Sequence, residues 1–266
     1  MRTFEALPGA NRGMDVLACP CHHVAMRMIG LIGGMSWESS AAYYRLLNEG
    51  VRARCGPTAS ARCLLWSFDF AEIEALQHRG DWDGLSERLV DAAQRLEAAG
   101  AEALLICTNT MHRLADAVTA SVSIPLLHIA DPTARRIQAA GIGTVGLLGT
   151  AFTMEQSFYK DRLTDMHGLR VIFPDEPDRR IVHRIIYEEL VASQVLPASR
   201  EAYRAIIRRL VAAGAEAVIL GCTEIMLLVG PEDSPVPVFD TAAIHAAAAV
   251  EWALAERGAV PGDIRR

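Results

Sequence analysis

A nearly identical pair of segments constrains the fold of this chain more than any other feature of its sequence. RLEAAGAEA at residues 95–103 returns as RLVAAGAEA at residues 209–217, an offset of 114 residues with one substitution in nine. Each copy continues into an aliphatic run with the composition of a buried strand. Shorter matches at nearly the same offset pair residues 29–33 with 145–149 and residues 124–126 with 236–238. The repeat therefore predicts two similar halves.

Aliphatic strands that alternate with amphipathic helices predict an α/β fold. We expect two pseudo-symmetric halves, residues 28–140 and 141–266, each a mostly parallel sheet flanked by helices, with a candidate active-site cleft between them. The closing helix of the second half is free to pack back on the first. Residues 1–27 lack hydrophobic periodicity and are predicted to form a disordered extension. Because open α/β sheets bind ligands at the carboxyl ends of their strands, those ends are where we expect the site.

The composition excludes several classes of partner. The 266 residues are 51% hydrophobic and 22% charged, with a formal net charge of −6, which is typical of a soluble globular protein. No basic excess indicates nucleic acid or an anionic membrane surface. No apolar run approaches the ~20 residues that cross a bilayer. The six cysteines have no framework spacing and are predicted to be free thiols in a reducing cytoplasm.

Cys222 follows the aliphatic run at residues 217–220, at the predicted end of a strand. In the register of the repeat its counterpart is Thr108, and Cys107 lies one residue earlier. Adjacent residues of a strand point to opposite sides, so we expect only one of Cys107 and Thr108 to face the cleft. The register favours Thr108, with Cys107 as the alternative.

The residue types at these strand ends suit chemistry as well as structure. A buried cysteine is often only a small core residue, but a strand end that leads into a helix N-terminus also stabilises a thiolate. Thr108, Asn109 and Thr110 form a polar run that can hold a carboxylate, whereas an ordinary helix cap would explain only one of the three. His112 and other nearby histidines are interpreted as structural.

The sequence contains no complete motif for binding a metal or a cofactor. The CPCHH run at residues 19–23 has no second ligand pair, so no metal site is predicted. The glycines at residues 141–146 lie between a predicted helix and a strand, in the reverse order to a dinucleotide fingerprint. Lys160 is the only lysine, and it has no matching phosphate loop for a pyridoxal phosphate Schiff base. We therefore expect no cofactor.

Three motifs resemble the aspartate/glutamate racemase family, most of all its bacterial branch of amino-acid racemases. They are GGMSWE at residues 33–38, CTNTMH at residues 107–112 and GCTE at residues 221–224. The resemblance implies a cofactor-independent racemase that moves a proton at Cα of an amino acid, with a preference for aspartate or glutamate, and a homodimer. Many members carry a cysteine at the position that aligns with Thr108.

The resemblance, with the repeat, implies a set of site residues. Cys222 is expected to be the thiolate base, with Thr108 as the group on the opposite face of the substrate. The expected substrate-binding residues are Met35, Ser36, Gln77, Asn109, Thr110, Thr223 and Glu224. No arginine or lysine is assigned to the substrate side chain, and Arg79, Lys160 and Arg162 remain unranked candidates.

Other functions stay open at this point. Related proteins of the same fold isomerise maleate, racemise hydantoins or decarboxylate arylmalonates, and a decarboxylase needs only one proton donor. A non-catalytic domain that binds a small molecule is the third possibility.

Overall fold

The structure, a computed structural model, describes residues 26–256. It contains two parallel sheets, which confirms the predicted α/β class. The first sheet has the order β2-β1-β3, with β1 at Ile29–Gly33, β2 at Cys63–Ser67 and β3 at Ala103–Ile106. The second has the order β5-β4-β6-β7, with β4 at Thr144–Gly149, β5 at Arg170–Ile172, β6 at Ala217–Gly221 and β7 at Val238–Asp240. The CPCHH run and nearly all of the predicted extension lie outside the described residues.

Helices cover both sheets. In the first half they are α1 at Trp37–Cys55, α2 at Phe70–Arg79, α3 at Trp82–Ala98, α4 at Ala115–Ser121 and α5 at Ala130–Ala139. In the second half they are α6 at Ala151–Glu155, α7 at Ser157–Asp161, α8 at Glu176–Glu188, α9 at Pro197–Ala212, α10 at Ile225–Leu228 and α11 at Thr241–Leu254. Short 3-10 turns occur at Thr110–Leu114, Leu190–Ala192 and Pro231–Asp233. No helix in this part of the chain is long and apolar enough to cross a membrane.

The repeated segment packs in the same way in both halves. It forms the end of α3 before β3 and the end of α9 before β6, and each copy lies against a glycine of the neighbouring central strand. A Cβ on Gly30 would lie 2.9 Å from Ala101 Cβ, and a Cβ on Gly146 would lie 3.5 Å from Ala215 Cβ. The small residues of the repeat therefore allow helix and strand to approach closely at equivalent places.

The last helix of each half packs on the sheet of the other half. Helix α5 contributes Ala134 and Ile137 to a core with β4 and β6. Helix α11 contributes Ala246 and Val250 to a core with α1, β1 and β3. Each of these two hydrophobic cores therefore combines residues from both sides of the boundary between residues 140 and 141.

Some predicted elements differ from the structure. The strand predicted at residues 126–129 is reduced to one bridge between Leu126 and Leu104. The reason is local, because the Ile129 N–H donates to His112 Nε2 at 3.2 Å instead of to a neighbouring strand. The helix predicted at residues 153–166 is broken into α6, α7 and a π-helical turn at Arg162–Met166, with Gln156 in an extended conformation between α6 and α7.

Candidate active site

A cleft of about 400 Å³ lies where the carboxyl ends of the two sheets meet. Its lining includes eight of the residues selected from the sequence: Met35, Ser36, Gln77, Thr108, Asn109, Thr110, Cys222 and Glu224. Six further residues complete it: Phe70, Thr150, Ile186, Tyr187, Val191 and Gly221. Neither Cys107 nor Thr223 is part of this lining.

Cys222 and Glu224 form the centre of the second-half wall. Cys222 follows β6 directly, and its thiol donates to Glu224 Oε2 at 2.9 Å. The same oxygen accepts from Thr223 Oγ1 at 2.7 Å, which explains why Thr223 turns toward Glu224. Ser36 Oγ reaches across from the first half and donates to the other carboxylate oxygen at 2.8 Å. The Glu224 carboxylate therefore accepts three hydrogen bonds from side chains of both halves.

The electrostatics of Cys222 differ from the sequence-based expectation. Burial and the neighbouring Glu224 carboxylate raise the pKa of the Cys222 thiol well above its usual range. Helix α10 starts only at Ile225 and is four residues long, so it supplies little of the dipole that would favour a thiolate. Both effects favour the protonated thiol of Cys222, and the hydrogen bond to Glu224 Oε2 gives its proton an acceptor.

Thr108 and Cys107 lie on opposite sides of the chain after β3. Thr108 is half-buried and lines the cleft. Cys107 is 1% exposed and packs in the core with α1 and α11, where burial raises the pKa of its thiol. Its carbonyl oxygen accepts from Ser39 Oγ at 2.7 Å. Of these two neighbours, Thr108 is the one that shares a cleft with Cys222.

His112 holds the backbone of Thr108. Its Nδ1 lies 2.8 Å from the Thr108 carbonyl oxygen, which can only accept, so Nδ1 carries the proton. Its Nε2 accepts from the Ile129 N–H at 3.2 Å. Burial lowers the pKa of His112 well below its usual value, and the ring is neutral. This histidine is a structural group behind the cleft.

Two buried carbonyl oxygens at the cleft have no hydrogen-bond partner among the described residues. They are Gln77 Oε1 and Asn109 Oδ1. Asn109 is oriented by its other side-chain atom, since Nδ2 donates to Thr241 Oγ1 at 3.0 Å. Buried acceptors are normally satisfied, so both oxygens suit a ligand that donates hydrogen bonds.

A cluster of hydroxyl groups joins the two halves beside Asn109. Thr110 Oγ1 lies 3.0 Å from Thr150 Oγ1 and 3.3 Å from Thr153 Oγ1. The sequence analysis missed Thr150, although a signal exists: it follows the 145–149 copy of a repeated strand just as Gly34 follows the 29–33 copy. At the offset of 114 residues Val191 is the counterpart of Gln77, but its apolar side chain belongs to no motif, and no motif selects the α8 residues.

The cations considered for the substrate side chain lie elsewhere. Arg162 is paired with Asp131, with Nε–Oδ1 and Nη2–Oδ2 distances of 2.6 and 2.7 Å. Lys160 and Arg79 are exposed and do not line the cleft. Within residues 26–256, no group of three or more His, Cys, Asp or Glu side chains is arranged to hold a metal ion.

Comparisons with known proteins agree on one family. The family model described as Asp/Glu/Hydantoin racemase matches residues 32–249. A broad specificity amino-acid racemase, RacX of Bacillus subtilis, is 25% identical over 178 residues, which cover 66% of this chain and 75% of that protein.

Two solved structures are similar to the whole described fold. A candidate Asp/Glu racemase from Yersinia pestis is 54% identical, with a TM-score of 0.82 over 86% of this chain and 100% of that one. An aspartate racemase homologue from Pyrococcus horikoshii is 36% identical, with a TM-score of 0.75 over 86% of this chain and 99% of that one.

Proposed function

The chain belongs to the Asp/Glu/hydantoin racemase family, and we propose that it is a cofactor-independent amino-acid racemase that interconverts L and D forms at Cα. One observation carries the proposal. Cys222 and Thr108, which are counterparts in the internal repeat, come from opposite halves and line the same cleft. Racemisation needs proton-transfer groups on both faces of a planar carbanion, and a pseudo-symmetric cleft supplies two.

In the proposed reaction Cys222 is activated by Glu224. The substrate ammonium brings positive charge into the cleft, which favours the thiolate, and the thiol proton passes to Glu224 Oε2 at 2.9 Å. The thiolate then takes the α-proton. The electron pair of the broken C–H bond is delocalised into the substrate carboxylate, which leaves a planar carbanion, and Cys222 is a thiol again.

Thr108 returns a proton on the opposite face. Its hydroxyl donates directly or through a water molecule. Solvent then returns a proton to Thr108 and takes up the proton held by Glu224, which restores both groups. The Asn109 Oδ1 atom, which lacks a protein partner, suits the substrate ammonium, and the Thr110 hydroxyl suits the substrate carboxylate. Met35 and Ser36 close the first-half side of the cleft.

The unequal pair of acids has a kinetic consequence. A threonine hydroxyl is a far weaker acid than a thiol, whose ordinary pKa is about 8.5, so Thr108 is a poor abstracting base. Proton transfer between Thr108 and Cα is therefore slow in either direction. Since racemisation has an equilibrium constant of one, kcat/KM is still the same in the two directions.

The test is α-proton exchange in D2O, followed by NMR with separate L and D amino acids and no added cofactor. We expect exchange that is lost in Cys222→Ser and kept in Cys107→Ser, a matched change of a buried cysteine outside the cleft. Exchange that survives in Cys222→Ser, or no exchange with any amino acid, would refute the racemase proposal.

A decarboxylase of the same fold is the second candidate. The observation in its favour is that the Cys222 thiol donates a hydrogen bond to Glu224 Oε2 at 2.9 Å, and a protonated thiol suits a single proton donor. Release of CO2 from an arylmalonate, without exchange at Cα of amino acids, would favour this function over racemisation. Maleate isomerisation and hydantoin racemisation are measured in the same series.

The acidic preference expected from the resemblance is supported by the names of relatives. Two similar structures are described with aspartate or glutamate, whereas RacX is described by its broad specificity.

We also propose that the protein works as a homodimer in the cytoplasm. The four described cysteines are free thiols, which suits a reducing compartment, and light scattering after gel filtration measures the subunit number.

A further inference from the structure

The cleft combines one carboxylate with an apolar wall, and from this we infer that the racemase acts on amino acids with uncharged side chains. The inference rests on the proposed racemase function and names the substrate class of the same site. It differs from the aspartate or glutamate preference that the resemblance implies.

The first observation is the balance of charge. Among the described residues that line the cleft, Glu224 is the only Asp or Glu, and none is Lys, Arg or His. Glu224 is 6% exposed. A carboxylate on the substrate side chain would be buried near Glu224, in addition to the substrate α-carboxylate, without a cation of the protein to pair with. Burial of an unpaired charge is strongly unfavourable.

His183, which packs against Tyr187 of the wall, does not change this balance. The His183 ring lies 4.7 Å from the Tyr187 ring, centre to centre. Its Nδ1 accepts from the Ala151 N–H at 3.2 Å, and burial lowers the pKa of His183. It is therefore neutral at pH 7 and offers no positive charge to a substrate carboxylate.

The second observation is the wall itself. Phe70 lies at the start of α2, Ile186 and Tyr187 at the end of α8, and Val191 in the 3-10 turn Leu190–Ala192. All four line the cleft. Burial of an apolar substrate side chain against this wall makes binding more favourable, and an acidic side chain benefits least from such burial.

The third observation is the partnerless oxygen of Gln77. This side chain is 5% exposed, and its Oε1 has no hydrogen-bond partner among the described residues. Gln77 follows Phe70 by two helical turns, so both lie on the same face of α2. An amide N–H at the end of a substrate side chain would satisfy this oxygen. The favoured substrates are therefore glutamine-like or aliphatic amino acids.

The decisive experiment compares near-isosteric pairs in competition. Equimolar L-glutamine and L-glutamate, and separately L-asparagine and L-aspartate, are incubated with the full-length protein in D2O, and loss of each α-proton is followed by NMR. The ratio of exchange rates gives the ratio of kcat/KM directly. We expect the amide to exceed its acid at least tenfold in one or both pairs. Faster exchange of the acid in both pairs would overturn the inference and leave the racemase function intact.

L-leucine and L-methionine are included to distinguish failure of the racemase proposal from failure of the substrate inference. If neither the four competitors nor these two exchange, the racemase proposal itself fails, and the substrate inference falls with it. Exchange of leucine or methionine that exceeds that of both acids supports the inference.

A positive charge introduced into the wall tests whether the wall contacts the substrate side chain. Val191→Arg should raise the glutamate-to-glutamine ratio at least tenfold, because it supplies the cation that the wall lacks. Val191→Met is the matched control of similar bulk, and its ratio should stay within about twofold of wild type. Tyr187→Arg provides a second variant should Val191→Arg unfold. An unchanged ratio in a folded arginine variant would contradict the assignment of this wall to the substrate side chain.

Discussion

Ser36 Oγ donates a hydrogen bond to Glu224 Oε1 at 2.8 Å, although the two residues are 188 positions apart in the chain. Ser36 is also the N-cap of α1, where the same oxygen accepts from the Ser39 N–H at 3.3 Å. Its orientation is therefore set by the helix and not by the cleft. This contact holds the Glu224 carboxylate in position, with its second oxygen toward the Cys222 thiol.

Replacement of Glu224 by glutamine should separate thiol reactivity from turnover. Glu224→Gln removes the negative charge that raises the pKa of Cys222, so the thiol of the free protein should react faster with iodoacetamide at pH 8. Turnover should nevertheless fall by roughly 10²–10⁴-fold, since the proton acceptor is lost. Glu232→Gln, an exposed carboxylate, is the control. Wild-type turnover in Glu224→Gln would show that the carboxylate does not receive the proton.

Replacement of Thr108 should separate exchange from inversion. Thr108→Ala keeps Cys222, so one enantiomer should still exchange its α-proton in D2O with retention of configuration, while inversion falls by at least tenfold. Thr108→Cys supplies a stronger acid on the same face and should raise kcat/KM by the same factor for both enantiomers. Chiral chromatography of the D2O reactions measures both effects. Full inversion activity in Thr108→Ala, with none in Cys107→Ser, would assign the opposite face to Cys107.

Acid stability should depend on His245. Its Nε2 donates to the Leu127 carbonyl at 2.7 Å and its Nδ1 accepts from the Tyr43 hydroxyl at 2.8 Å, while burial lowers its pKa to about 4. The unfolded chain binds a proton near pH 6.5 and the folded chain does not. The free energy of unfolding should therefore fall as pH drops from about 6.5 to 4, by on the order of 3 kcal/mol from this group.

The variant His245→Gln should show a smaller loss of stability over that pH range, measured by urea unfolding at each pH. Tyr43→Phe removes the same hydrogen bond and keeps the imidazole, so it should lower stability at all pH values with the wild-type slope. If the slopes of His245→Gln and wild type coincide, His245 is not the source of the acid sensitivity.

The turn before Ser36 should not tolerate a side chain. Gly34 has a φ of +80°, and a Cβ there would collide with the backbone N and O atoms of Phe68. Gly34→Ala should therefore cost several kcal/mol of unfolding free energy and should displace Met35 and Ser36 from the cleft. Gly100→Ala is a matched control, because its φ of +98° is equally unfavourable but its Cβ meets nothing within 4 Å. The control should cost only about 1–2 kcal/mol, and equal losses would exclude the collision as the cause.

The repeat explains how much of the fold and the cleft could be predicted. A register that pairs Thr108 with Cys222 predicts two similar sheets and selects equivalent strand ends. The apolar wall could not be found in this way, because Ile186 and Val191 lie in helical segments away from the strand ends that the register selects. Nor does a helical pattern say which sheet a helix covers, since α5 packs on β4 and β6 of the second half and α11 on β1 and β3 of the first. The protonation state of Cys222 depends on its burial and on its hydrogen bond to Glu224. Both follow from the folded structure and not from a local sequence pattern.

The crossed packing of α5 and α11 makes the two halves inseparable. Each core is completed by the helix that the other half encodes, as in a domain-swapped dimer whose two copies have been fused into one chain. A chain cut in the turn at Gly141 would yield two fragments that each carry the other's missing helix. Neither fragment has a complete core, whereas the mixture does, so the pair should fold by complementation. The same two helices therefore also hold the two walls of the cleft together.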